Sequence, residues 1–288
     1  LFYFEPEAGY INLIANILVS LSSLIKMEYS PFITVYGSLI FILLPPYLIL
    51  FNKSVLFNNN LKKTVGAFIV FLSPPFVPEI WLNSINAQVY LCINTIIILF
   101  IRDINFSKKI LNHCIIFISA FSGVYTCCLL PLFASNYYFQ RSKYNFNNLL
   151  IISAATIIQF CFVLISKIRD TIPSNVLVAD LDLNLLVNYI YNILLKSIFA
   201  RQAIHFVWDN LISLSTTLTI IIISLILLTF IVLFILNINR IISFFAKDKT
   251  LLYLVYIFFS ISSLVLVGAA GDYVGGRYAV IPGVSLLL

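Results

Sequence analysis

The chain has 288 residues, 61% of them hydrophobic and 10% charged, with a formal net charge of +6. A soluble globular domain is about half apolar and about one quarter charged, so a soluble enzyme, a nucleic-acid-binding domain, a disulfide scaffold and a disordered chain are all excluded. With a mean hydropathy of +1.06 and several apolar runs long enough to cross a bilayer, the expected solvent is lipid.

Position 1 is Leu and the chain closes on Leu286-Leu287-Leu288 inside an apolar run, so a piece of a longer protein, lacking at least one span in front, is expected. Residues 1–30 read as an outer juxtamembrane segment that begins with Glu5-Pro6-Glu7. Two carboxylates this close suit a divalent cation (Mg or Mn) or a general base. A solvated, acidic helix start favoured by the macrodipole fits them as well. From Gly9 to Lys26, Asn12, Asn16, Ser20 and Ser23 form a polar stripe opposite Tyr10, Ile14, Ile17, Leu21 and Leu24. Such a pattern predicts an amphipathic helix lying along a membrane interface.

Apolar segments follow at Pro31 to Phe51, Thr64 to Ser73 and Ala87 to Ile101. Between the last two, Pro74-Pro75-Phe76-Val77-Pro78-Glu79 leads through Trp81 and Asn83 to Asn86 and Gln88. Polar groups at membrane depth are costly without partners, so Asn86 and Gln88 are expected to face other protein or a wet cavity. Ile110 to Phe139 would be about 45 Å long as one helix, against a hydrocarbon core of about 30 Å. Gly123 near its middle and Pro131 beyond predict instead a hairpin of two short helices turning at Ser122-Gly123. His113, at the start of that stretch, reads as a helix-end residue, and the five cysteines read as small buried hydrophobes.

Leu149 to Ser166 is the next span. The outer loop 168–210 is too long for a simple turn. It carries Arg169, Asp170, Asp180, Asp182, Lys196 and Arg201, and a second amphipathic helix is predicted from Asn184 to Phe199. Spans at Leu211 to Leu236 and Leu251 to Gly268 precede Gly271-Asp272-Tyr273-Val274-Gly275-Gly276-Arg277-Tyr278, and a last apolar run begins near Tyr278. Arg277 at the mouth of a span is suited to grip a lipid phosphate, and snorkelling toward headgroups is the competing account.

With the hairpin, the basic loops at Lys53/Lys62/Lys63, Arg102/Lys108/Lys109, Arg141/Lys143 and Arg240/Lys247/Lys249 share one side, with eleven Lys/Arg and two acids. The other side has six Lys/Arg and nine acids. The positive-inside rule makes the first side cytoplasmic. The basic excess is then a topology signal and implies no nucleic-acid partner. No GxxxxGK[ST], GxGxxG, HExxH or GxSxG motif occurs, so the usual soluble-enzyme signatures are missing.

Three stretches resemble polytopic bacterial membrane proteins related to the GT-C glycosyltransferases: Glu5 to Ile25, Pro78-Glu79 through Gln88, and Gly276-Arg277-Tyr278-Ala279-Val280-Ile281-Pro282-Gly283. The hairpin Ser122-Gly123 to Leu130-Pro131-Leu132 is similar to short paired helices of that fold. The resemblance implies an all-α, polytopic transmembrane bundle comprising one domain over 1–288, with outer interfacial helices. It further implies sugar transfer from a polyprenyl-phosphate-linked donor on the non-cytoplasmic face of a bacterial inner membrane. By position Glu5 or Glu7 would be the acid, with Glu79 in reserve, and Arg277 would hold the donor phosphate. Tyr278, Arg201, Asn86 and Gln88 are further candidates for substrate contact. The family's acidic motif contains Asp where this chain has Glu-Pro-Glu, which leaves open an inactive relative or a different acid. A polysaccharide flippase or polymerase, or a transporter, is the alternative class, since many spans and the Asn86/Gln88 pair suit it; no internal repeat of the transporter kind is found.

Overall fold

The computed structural model describes residues 6–7, 10–72, 82, 84, 86–102, 105–168, 253–258, 260–261, 281 and 284. The expected amphipathic helix over 184–199 and the expected span over 211–236 lie outside these residues, and the spans expected over 251–268 and from 278 are described only at the positions just given. The described residues are mostly helical. Two short strands, β1 (Pro6–Glu7) and β2 (Tyr10–Ile11), precede α1 (Leu13–Ser23) and α2 (Ser30–Phe51). After β3 (Lys53–Ser54) come α3 (Asn60–Leu72), α4 (Ala87–Leu99) and β4 (Ile101–Arg102). The chain continues through α5 (Phe106–Phe121), a 3-10 turn (Thr126–Leu129), α6 (Leu130–Phe139) and α7 (Lys143–Ile168).

Among the described residues, two helices are long and apolar enough to cross a membrane, Ser30–Phe51 and Lys143–Ile165. The first, with 22 residues, spans about 33 Å at 1.5 Å per residue. Its C-terminal carbonyls are held by two lysines: Lys63 Nζ donates to Leu50 O (3.2 Å) and Lys108 Nζ to Phe51 O (3.1 Å). Cations at a helix C-terminus complement its partial negative charge and satisfy carbonyls that have no intrahelical partner.

The centre of the bundle is α4, every residue of which is buried. α2 packs on α3 and α4, α5 packs on α4 and α7, and α6 packs on α7. The long apolar stretch from Ile110 breaks where the sequence predicts. Gly123 has a φ of +157°, and a Cβ there would overlap Gln88 Oε1. The turn is closed by a 2.7 Å hydrogen bond between the Ser119 and Thr126 hydroxyls and by Ser122 Oγ donating to Ile118 O (2.6 Å). Pro131 in the first turn of α6 sits where a missing N–H goes unnoticed. Lys109 of α5 and Asn136, Phe139 and Gln140 at the end of α6 line one cavity, so the chain does double back.

That hairpin assembles a basic end. β3 pairs with β4 through Lys53↔Arg102, Lys108 reaches the end of α2, and Gln140, Ser142 and Arg102 border the same cavity. The loops of Lys53, Lys62/Lys63, Arg102, Lys108/Lys109 and Arg141/Lys143 therefore meet at one end of the bundle. The turn at Ser122-Gly123 lies at the other.

Around a core of Ile, Leu, Val, Phe and Ala side chains, apolar residues are also exposed on helix faces and several amides are buried. Phe32, Tyr36, Ile40, Leu43, Tyr47 and Leu50, three or four residues apart on one face of α2, are exposed. Leu61, Val65, Phe68 and Leu72 do the same on α3. Asn12, Asn16, Asn86, Gln88, Asn94, Asn112, Asn148 and Gln159 are buried.

Three expectations need revising. The Asn12/Asn16 stripe of α1 faces inward, while Val19, Leu21 and Leu24 are exposed, because those amides lie against the bundle, where protein groups and not water are their neighbours. His113 lies within α5, its ring 5.2 Å from that of Tyr144, and not at a helix end. Of the cysteines only Cys92 is buried, and Cys114 and Cys161 are exposed on apolar helix faces.

Candidate functional site

At the turn end a set of polar side chains ties the N-terminal strands to the helices. Gln159 of α7 accepts from Ile11 N (2.9 Å) and donates through Nε2 to Ile11 O (3.0 Å) and Ala120 O (3.3 Å). One amide thus acts as a strand neighbour for β2, meeting a donor and an acceptor that would otherwise be buried alone. β2 pairs antiparallel with β1, Pro6 opposite Ile11 and Glu7 opposite Tyr10. Tyr10 OH accepts from Gln88 Nε2 of α4 (3.2 Å), and Ile14 N donates to Ser122 Oγ in the hairpin turn (3.2 Å). The backbone of Glu7 is therefore one strand pair away from Tyr10 and, through it, from Gln88. Two elements far apart in sequence, the Glu-Pro-Glu segment and the start of α4, are neighbours here.

Of the candidate residues, Asn86 and Gln88 are buried among protein. Glu5, Glu79, Arg201, Arg277 and Tyr278 lie outside the described residues, and Glu7 is described by its backbone. Gln159 and Ser122 were not singled out as site residues from the sequence. Gln159 had a usable signal: a lone amide in the apolar run from Leu149 to Ser166, where a polar side chain needs a partner.

Several buried polar atoms have no hydrogen-bond partner: Gln88 Oε1, Tyr90 OH and both amide atoms of Asn94 on α4, together with His113 Nε2 and Asn148 Oδ1. Such groups cost about 1–3 kcal/mol each when left unmatched. Three positions on one fully buried helix are a concentration of this kind.

At the basic end lies a cavity of about 660 Å³. Arg102, Lys109, Ser142, Tyr144, Asn145 and Asn148 form its polar wall, and Ile98, Phe100, Phe139 and Tyr253 its apolar one. Tyr144 OH accepts from Asn112 Nδ2 (3.0 Å), and Ser142 Oγ caps α7 by accepting from Asn145 N (3.1 Å). Two cations line the cavity, and no acid does among the described residues.

Among the described residues no group of three His, Cys, Asp or Glu side chains is placed to hold a metal ion. No protein-family model, no curated protein and no solved structure matches the chain.

Proposed function

We propose that the chain is a multi-pass membrane protein of GT-C-like type, transferring a sugar from a polyprenyl-phosphate donor in cell-surface polysaccharide assembly. The observation that carries the reading is the meeting of β1, which contains Glu7, with Tyr10, Gln88 and the hairpin turn, at the end away from the basic loops. The positive-inside rule makes that end non-cytoplasmic. Exposed apolar stripes and buried amides support a bilayer as solvent.

In this reading a carboxylate, Glu5 or Glu7 with Glu79 in reserve, takes the proton of an acceptor hydroxyl as its oxygen attacks the anomeric carbon. The bond from that carbon to the donor phosphate breaks, and the phosphate leaves with the electron pair. Arg277, with Tyr278 and Arg201 nearby in role, neutralises the leaving group; Gln88 and Asn86 orient the carboxylate segment. A divalent cation (Mg or Mn) held by Glu5 and Glu7 would supply further charge neutralisation.

The test is sugar transfer from polyprenyl-phosphate sugars in proteoliposomes by E5Q, E7Q, E79Q and R277Q. Removing a general base lowers the rate about 10²–10⁴-fold, so one of the acids is expected to show such a loss. Undiminished transfer in all four variants refutes the mechanism.

A second reading, a polysaccharide flippase or polymerase or a transporter, is favoured by the unpartnered polar atoms at Gln88, Tyr90 and Asn94 on the buried helix α4. Substrate flux across proteoliposomes with no covalent product would establish it in place of the first.

A further inference from the structure

We propose that β2 and α1 form a re-entrant element, sunk below the outer ends of the two spans, with the exposed face of α1 meeting lipid acyl chains. Outer here means away from the basic loops. The inference rests on the reading of a bilayer as solvent and not on sugar transfer.

Depth is the first argument. The second span begins at the basic end with Lys143 and closes at Ile165. Gln159, which holds both backbone groups of Ile11, comes six positions before that close, so β2 is about 9 Å below it at 1.5 Å per residue. α2 gives the same level independently. A Cβ on Gly37 would overlap the Leu18 side chain, and Gly37 is seven positions, about 10 Å, inside the outer end of α2 at Ser30. Contacts on two different spans thus place β2 and the middle of α1 at one depth. α1 has 11 residues and is about 16 Å long, roughly half of a hydrocarbon core of about 30 Å. It reaches into the bilayer without crossing it.

The second argument is hydrogen bonding. Non-helical backbone at membrane depth persists only where it is buried in protein or lines a wet cavity. Ile11 is paired to Gln159, Ile14 N donates to Ser122 Oγ (3.2 Å), and Ala15 N donates to Asn12 Oδ1 (3.4 Å). On a helix lying in the interface, such free N–H groups could be left to water. Farther along, Ser22 and Ser23 return their hydroxyls to Val19 O (2.7 Å) and Ser20 O (2.8 Å), although Ser23 is exposed.

The third argument is the face itself. Ile14 and Leu18 are buried with Ala87 and Leu91 of α4, and Asn16 is buried too, while Val19 and Leu21 are exposed. A helix resting on the interface turns its polar side to water. α1 turns an apolar side outward at a depth where the surroundings are acyl chains. Lys26 and Glu28 come only after it, in the turn that leads up to Ser30.

The experiment uses the full chain in phosphatidylcholine vesicles. A W81F/W208F background removes both native tryptophans, and V19W, L21W, Y36W and M27W each add one. Tyr36 is exposed six positions inside the outer end of α2, and Met27 is exposed just before it. Quenchers are lipids brominated on the acyl chain and iodide in the water. V19W and L21W are expected to lose as much intensity to bromine as Y36W and several-fold more than M27W, with iodide quenching M27W alone. Where the background does not fold, each variant is read as its difference from the parent. Iodide quenching at V19W and L21W, with Y36W quenched by bromine, overturns the re-entry and leaves the spans standing. Quenching of V19W and L21W by neither agent shows that protein covers the face, and overturns the lipid contact. Y36W untouched by bromine removes the bilayer reading itself, and the inference with it.

Discussion

The side chain of Gln159 takes both backbone hydrogen-bonding groups of Ile11, 148 positions earlier in the chain. Through this contact α7 fixes the N-terminal strand pair against the helices. Gln159 is also 2% exposed, so water cannot replace it.

Gln159→Leu leaves a buried N–H and a buried C=O without partners, each worth about 1–3 kcal/mol. The variant is expected to be about 2–4 kcal/mol less stable, read as a lowered unfolding midpoint in mixed micelles. Gln159→Glu, which accepts from Ile11 N and in its ionised form cannot donate to Ile11 O, should be destabilised too. A Gln159→Leu protein as stable as the parent would show that β2 is not held in this way.

Asn94 is the opposite case. It is 0% exposed and neither amide atom has a partner, so the fold already bears its desolvation. Asn94→Leu replaces it with an apolar side chain of similar size and is expected to stabilise the protein by roughly 1–2 kcal/mol. A raised midpoint with a loss of transfer or flux would identify Asn94 as a group kept for function. A lowered midpoint would show that its amide is satisfied in the folded protein.

Sidedness has its own test. Asn59 and Arg141 lie in loops of the basic end. Met27, 90% exposed, precedes α2, whose far end is the one gripped by Lys63 and Lys108. N59C and R141C are expected to react with an impermeant maleimide from one side of the membrane and M27C from the other. Labelling of all three from the same side would remove the two-ended arrangement on which the non-cytoplasmic site rests.

Much of the fold is legible in local sequence. Helices at Ser30–Phe51 and Ala87–Leu99 lie within one or two residues of the predicted apolar runs, since run length and backbone satisfaction in an apolar medium are local properties. The break at Gly123 is likewise local: a segment longer than the bilayer is thick, with a glycine at its middle. The candidate site is less legible. Asn86 and Gln88 stand out because polar residues in apolar runs need partners, yet no period or motif says which partners. α1 shows the limit well, since the same stripe of Asn12 and Asn16 satisfies an amphipathic pattern whether it faces water or protein.

By itself, then, the sequence determined, among the described residues, the long apolar helices, the hairpin and the gathering of the basic loops on one side, all consequences of composition and of spacing along the chain. Only the tertiary structure decided that Gln159 completes the strand of Ile11, that Tyr10 meets Gln88, and that Arg102, Lys109 and Asn148 share a cavity. Those are contacts between distant segments, and they depend on how helices pack, which hydrophobic periodicity constrains only to a face and never to a partner.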